Sequence, residues 1–351
     1  MVRVNYKKFS LIVISGLLLV MLLTGITVYY IDPFFQYHKP NKNMSYVLDT
    51  NSFAYINPGI AKNFEYDTVI TGSSMSRAIE PSYVNDVLGG KTVKLSMAEA
   101  RGKDLSELFE VLEKQSNVKK IVMSLDTFAY SVDKDYSTYT YPLYLYDENC
   151  LNDVLYLMNM KGLTESYNVL KNTKNKSVST NMDQYQNYVY ENTFSKEKVL
   201  EIYNTSKLDK QEVKYDRLLH KQTVMNNLEQ NIIPMIEKRE DIEFLFYFPP
   251  YSIVRWGITE NVKKEIDTMI ILVEQLISYD NVSVFFYQGK EEVITSLDHY
   301  MDSIHFDTEV ANDIVNYISN PQNRLTQSNY VKEISEFEKF VLNYDYTKLN
   351  N

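Results

Sequence analysis

Three serines stand within four residues at Ser73, Ser74 and Ser76, directly after Gly72, and near the other end of the chain Asp302 and His305 stand three residues apart. A serine hydroxyl is a weak nucleophile at its own pKa, so acyl chemistry needs a base to take its proton and a third group to orient that base. An Asp-x-x-His spacing in a loop entering a helix lets the carboxylate reach one ring nitrogen while the other faces a pocket. His305 is the best placed of only four histidines. His38, beside Lys39 and Pro40, reads as a surface or packing residue; His220 adjoins Lys221 in a basic helical stretch; His299 follows Asp298 directly, which makes mutual orientation awkward. Taken alone, Gly-Ser-Ser after a strand is also an ordinary polar turn, and only the downstream pair makes it a candidate site.

The elements around these residues explain how they would be presented. Residues 68–71 (Thr-Val-Ile-Thr) are β-branched and suit a short buried strand, and Gly72 permits the sharp turn that releases the chain from it. A helix follows over 78–88, with Pro81 setting its true start no earlier than that residue. Further strands are expected at 91–96, 120–125, 242–248 and 282–287, and helices at 104–115, 221–238, 260–278 and 308–318, with one more at the surface over 333–342. Asp104 and Glu107 resemble a capping box at the start of the second helix. Strands alternating with helices predict βαβ crossovers and an α/β three-layer sandwich around a mainly parallel five-stranded sheet. In such sheets ligands gather at the carboxyl ends of the strands, where 72–76, 96–102 and 126–130 would lie.

Residues 9–31 carry no charged side chain, and 23 residues at ~1.5 Å rise span about 34 Å, enough for a bilayer's hydrocarbon core. Arg3, Lys7 and Lys8 precede this transmembrane helix and Asp32 follows it, so the positive-inside rule puts the 1–8 tail in the cytoplasm and the rest outside. The rival is a cleaved signal peptide, but the apolar run exceeds a usual h-region and no clear Ala-x-Ala site follows. Residues 32–64 read as a juxtamembrane connector, 131–235 as an insertion over the active face, and 321–351 as a C-terminal helical tail. The insertion includes five tyrosines at 136, 139, 141, 144 and 146, read as a sugar-facing wall or, on composition, as packing, since the chain holds 30 Tyr. A net charge of −10 makes nucleic acid a poor partner, and the single Cys150 allows no internal disulfide and no cysteine-based metal site; burial is expected for that thiol.

Gly72-Ser73-Ser74 near the start of the 65–320 domain, with Asp302-x-x-His305 near its end, resembles the SGNH/GDSL hydrolase superfamily. With the N-terminal anchor, Phe248-Pro249-Pro250-Tyr251 and the tyrosine-rich loop, it is most similar to the cell-envelope branch, which includes the D-alanyl-transfer protein of lipoteichoic acid synthesis and exopolysaccharide O-acetyltransferases. The resemblance implies an SGNH/flavodoxin-like fold, Ser74 as nucleophile, Asp302 and His305 as its partners, and the N–H groups of Ser74 and Gly102 as oxyanion donors. It implies no metal or organic cofactor, a glycan or polyol acceptor, and a membrane-bound O-acyltransferase as the acyl-donating partner. Arg77, Arg101 and Tyr251 are weaker candidates for binding an anionic polymer, with solvation the plainer reading of the two arginines. Ser73 stands where the hydrolases usually carry Asp, and no Asn-bearing third block is recognisable in residues 124–127 (Ser-Leu-Asp-Thr). Losing one oxyanion donor commonly costs about 10²- to 10³-fold in rate, which suits transfer better than hydrolysis. The alternatives are simple esterase activity and an envelope assembly protein that keeps the fold without the chemistry.

Overall fold

The structure, a computed structural model, describes residues 6–206 and 215–350. Arg3, one of the three cations used to orient the apolar helix, lies outside the described residues. Two compact units are present, one formed by residues up to Phe64 together with Tyr141–Thr180, the other by Glu65–Thr140 and Asn181 onward.

The second unit holds an all-parallel sheet of five strands, β1 (Thr68–Thr71), β2 (Thr92–Lys94), β3 (Lys120–Ser124), β4 (Glu243–Tyr247) and β5 (Val282–Phe285), in the order β2-β1-β3-β4-β5. Its register pairs Val69 with Ile121, Val122 with Leu245 and Phe246 with Val284. The central strands are buried on both faces, as expected of a sheet covered on either side by crossover helices. The crossover helices are α3 (Pro81–Leu88), α4 (Gly102–Leu112), α7 (Arg217–Asn231) and α8 (Val262–Leu276), and α9 (Thr308–Ser319) follows β5. Right-handed crossovers in this strand order put α3 on one face and α4, α7 and α8 on the other. The packing agrees: α3 lies on α9, while α4 meets α7 and α7 meets α8. The strand order reverses between β1 and β3, so the loops after these strands flank the crevice where doubly wound sheets place their ligands. The outer edge of β5 is covered by an antiparallel bridge from Arg324 to Phe285.

Helix α10 (Tyr330–Asn343) belongs to this core rather than to a surface tail. Its Tyr330, Ile334, Phe337 and Val341 are buried, and the Phe337 ring meets Trp256 edge-on at 5.0 Å and Phe286 at 5.5 Å. The 3.6-residue spacing of those four side chains is what draws the helix inward. Helix α6 (Lys196–Ser206), between β3 and β4, also lies in this unit.

The first unit is built on α1 (Tyr6–Ile31), a helix long and apolar enough to cross a membrane. It packs near its C-terminal end: Gly25, Val28 and Ile31 are buried, and the carbonyl of Ile31 accepts a hydrogen bond from the Tyr46 hydroxyl. Residues 32–64, read as a juxtamembrane connector, continue this unit with structure of their own. Asp32 accepts hydrogen bonds from the N–H groups of Gln36, Tyr37 and His38, and α2 (Phe53–Asn63) buries Phe53, Ala54, Ile56, Ile60 and Ala61. Pro58 and Gly59 inside α2 conceal that helical spacing, yet Gly59 is needed there because any Cβ would collide with the backbone of Phe34 and Phe35. The rest of the unit comes from α5 (Met160–Lys174) and the turns before it. Cys150 is exposed, not buried: it sits in a turn whose N–H groups are capped by the side chains of Asp147 and Asn149, and that geometry overrides its preference for the interior. Of the five tyrosines, 136 and 139 belong to the second unit and 141, 144 and 146 to the first. Tyr146 is buried, with its hydroxyl on the Ala54 carbonyl.

Gly72 is the backbone residue on which the candidate site turns. Its φ of +118° lies where side chains are disfavoured, and a Cβ there would run into Ser124. Gly72→Ala is expected to cost about 1–3 kcal/mol in strain, measured by chemical denaturation of the detergent-solubilised protein; unchanged stability would show that the turn tolerates a side chain.

Candidate active site

At the end of β1 the chain turns through Gly72 into a single 3₁₀ turn, Ser74–Ser76, which Ser73 caps by accepting the Met75 N–H on its Oγ. Serine is among the residues best suited to such a cap. The Ser73 N–H donates to Ser124 Oγ, and the Ser76 hydroxyl donates to the Ser73 carbonyl and engages Ser96 Oγ. The turn is thus fixed from the ends of β3 and β2, and Ser74 is left partly exposed upon it.

His305 Nε2 lies 2.8 Å from Ser74 Oγ, and His305 Nδ1 lies 2.7 Å from Asp302 Oδ2. The second Asp302 oxygen accepts the N–H groups of Ile304 and His305, both at 2.8 Å. Burial acts to raise the Asp302 carboxyl, but the hydrogen bonds from His305 and the two N–H groups hold it below its ordinary value. An ionised acid bound to Nδ1 fixes the neutral tautomer with its proton on Nδ1 and leaves Nε2 free to accept. These three residues can therefore move a proton from the serine to the imidazole.

The loop that carries Asp302 and His305 is a short hairpin closed at its neck. Tyr300 bridges Phe306, the Met301 N–H donates to the His305 carbonyl, and the Asp307 N–H donates to the His299 carbonyl. His299 is not oriented by its neighbour Asp298; its Nδ1 pairs with Asp307 Oδ2 at 2.8 Å, while the other Asp307 oxygen caps α9 at the Val310 N–H. His220 is buried against Thr268, and burial lowers its imidazole.

The remaining candidates divide. Gly102 opens α4, so its N–H is among the first-turn donors that a helix leaves without an internal partner, and a Cβ there would collide with the Asn227 side chain. Asp104 is the third residue of that helix and receives the Arg101 N–H at 2.8 Å, so the helix begins two residues before the place its spacing suggested. Arg77 and Arg101 are committed inward rather than solvated. Arg77 is half-buried and its Nε donates to the Gln186 carbonyl; Arg101 donates to the Phe128 carbonyl with its guanidinium 4.6 Å over the Phe128 ring. Tyr251 is buried with its hydroxyl on Asp126 Oδ1. Asp126 also receives the Ser124 hydroxyl at 2.7 Å, and burial pushes its carboxyl up. Residues 124–127 thus supply a buried, hydroxyl-bound acid under the turn instead of a side-chain amide.

Sequence reasoning missed the strip at residues 183–188. The Gln186 carbonyl takes Arg77, the Tyr188 ring meets the His305 ring edge-on at 5.0 Å, and the Tyr188 hydroxyl donates to the Phe306 carbonyl. Only the polar aromatic composition of that strip hinted at such a role. Beside Ser303 and Ile304 an open cleft of about 450 Å³ is lined by Arg255, Thr259, Asn261 and Lys264. No protein-family model matches this chain, and no curated protein is similar to it.

Lys94 ties the strip to the turn from below, its ammonium donating to the carbonyls of Arg77 at 2.8 Å and Asp183 at 3.2 Å. Burial lowers this amine from the ordinary 10.5 to about 7. Between those values the unfolded chain binds a proton that the folded protein has released, so stability is expected to rise with pH across that window. Lys94→Met should flatten the rise in denaturation midpoints measured at several pH values; equal slopes in the two proteins would refute this account.

Proposed function

We propose that this protein is a membrane-anchored serine acyl-transfer enzyme of the SGNH type, acting on a cell-envelope polysaccharide or teichoic acid from outside the membrane. The observation that carries the reading is the unbroken hydrogen-bonded chain from Ser74 Oγ through His305 to Asp302. In this mechanism His305 Nε2 takes the Ser74 proton as Oγ attacks an ester or thioester carbonyl, and Asp302 steadies the imidazolium that forms. The N–H groups of Ser74 and Gly102, each opening a helical turn, receive the oxyanion. Collapse of the tetrahedral species gives the leaving group the proton held on His305 and leaves an acyl-Ser74. A sugar or polyol hydroxyl then gives its proton to His305 and takes the acyl group, and the imidazolium returns that proton to the departing Ser74 oxygen.

Several features favour transfer over hydrolysis. The residues after β3 offer an acid rather than a third oxyanion donor, which slows the chemistry and leaves more of the rate to acceptor binding. The cleft beside Ser303 is lined by hydroxyl, amide, cationic and carboxylate groups, the last from Glu260 and Glu265, a mixed polar lining suited to a polyhydroxylated acceptor. The orientation rests on Lys7 and Lys8 before the apolar run and Asp32 after it. A membrane-bound O-acyltransferase is the partner this reading requires as acyl donor.

A fluorophosphonate probe is expected to add covalently to Ser74 in the wild type and not at all in Ser74→Ala, as read by mass spectrometry. Asp302→Asn and His305→Ala should slow labelling by up to about 10⁴-fold. If the His305 variant labels as fast as the wild type, the base is not His305. Given a generic acyl ester, the enzyme should partition acyl groups to an added polyol over water; rapid release to water alone would identify an esterase, and no turnover with no labelling would leave an assembly scaffold.

A further inference from the structure

The first unit carries an apolar surface that the acyl-transfer reading does not use. Around the short helical turn Val154–Leu157, Leu151 is 84% exposed, Leu155 53% and Met160 72%, with Val154 also exposed. In a water-soluble domain four such neighbours would form an unusual patch. Only one residue between 151 and 160 is charged, Asp153, and its carboxylate hydrogen-bonds the Tyr37 side chain.

Contacts with α1 fix the depth of this surface. Gly25 lies against Met158 and Leu157, and Val28 lies against Gly162. Gly25 is six residues before the end of α1, so at ~1.5 Å per residue the groups packed on it sit about 9 Å inside the end of the apolar span. The contacts also run in one direction, from Gly25 with Met158 to Val28 with Gly162, so α5 leaves this level alongside α1. Polar groups point the same way: the Tyr156 hydroxyl reaches Asp32 Oδ1 and the Phe34 N–H, just beyond the end of α1. Lys161 turns its ammonium over the Tyr55 ring at 4.2 Å. Apolar side chains at the level of Gly25 with polar tips directed past Ile31 are the arrangement of an interfacial element, whose apolar face lies about 5–10 Å into the headgroup and acyl boundary.

We propose that the turn at residues 151–160 is a second membrane contact, seated in the lipid of the leaflet through which the C-terminal end of α1 leaves the bilayer. Lipid is the committed occupant because the surface is continuous with a spanning helix and lies at a depth where water is scarce. Two points of attachment fix the rotation of the first unit about the α1 axis, which a single helix would leave free.

The experiment uses the full chain in phospholipid vesicles. Cys150 is the only cysteine, so Cys150→Ser provides a background in which Leu155→Cys, Leu18→Cys and Val178→Cys each carry one environment-sensitive nitrobenzoxadiazole label. Leu18 lies mid-span in α1, and Val178 is 86% exposed beyond α5. All three positions are exposed to their surroundings, so the label should not disturb packing. Emission at 155 should be blue-shifted relative to 178 and lose about twofold intensity to lipids bearing a nitroxide high on the acyl chain. Emission at 18 should be quenched best by a deep nitroxide, and emission at 178 only by aqueous iodide. A label at 155 that iodide reaches as easily as the label at 178, with no quenching from lipid, would overturn the proposal and point to a protein or to water over this surface. A label at 18 that escapes the lipid quenchers would overturn it as well, by removing the span that sets the depth.

Discussion

The hydrogen bond between Ser74 and His305 joins residues 231 positions apart, and the rest of the second unit can be understood as the means of making it. A 2.8 Å contact between two side chains tolerates little play in either support. On one side the support is the β1 turn, held by Gly72, by the Ser73 cap and by hydroxyls from the ends of β2 and β3. On the other it is a hairpin whose neck is closed by backbone pairing and by His299 on Asp307, an acid that also caps α9. Every brace reaches the site from a different element, so the geometry is a property of the whole sheet.

The buried polar groups follow from the same constraint. Lys94, Arg77 and Asp126 are costly to remove from water, and each is placed where it holds backbone or hydroxyl groups next to the turn. Lys94 and Arg77 bind carbonyl oxygens of the 183–188 strip, which in turn brings Tyr188 against the imidazole. A hydrophobic replacement would pack more cheaply but would not fix the strip in position.

Much of this could be read from the residues alone. The β-branched runs at 68–71 and 120–124 and the aromatic run at 243–247 are too continuously buried in character to be anything but central strands, and glycine followed by serines marks where the first one ends. The Asp302 and His305 pair was legible because its three-residue spacing is a local geometric statement. Less legible were features that depend on distant partners. Nothing near Arg77 or Arg101 in sequence announces the carbonyls they bind, and the partner of His299 was not legible, because the hairpin that brings it to Asp307 is a tertiary event. Helix α2 was hidden by Pro58 and Gly59, and the glycine is explained only by the backbone of Phe34 and Phe35 pressing against it.

The first unit is assembled from two stretches separated by residues 65–140. Its polar seams are closed by late arrivals: Thr173 and Thr180 supply partners to the backbone at 45 and 46, and Lys62 reaches the carbonyls of Leu145 and Asp147. During synthesis the apolar helix precedes the sheet, yet the side chains that enclose Gly25 and Val28 emerge more than 120 residues after it. Until then only residues such as Tyr37 and Tyr46 rest on the end of that helix, and residues 65–140 are made while the first unit is still unfinished. Biogenesis of this protein is therefore ordered by its topology, with the earliest segment among the last to be completed.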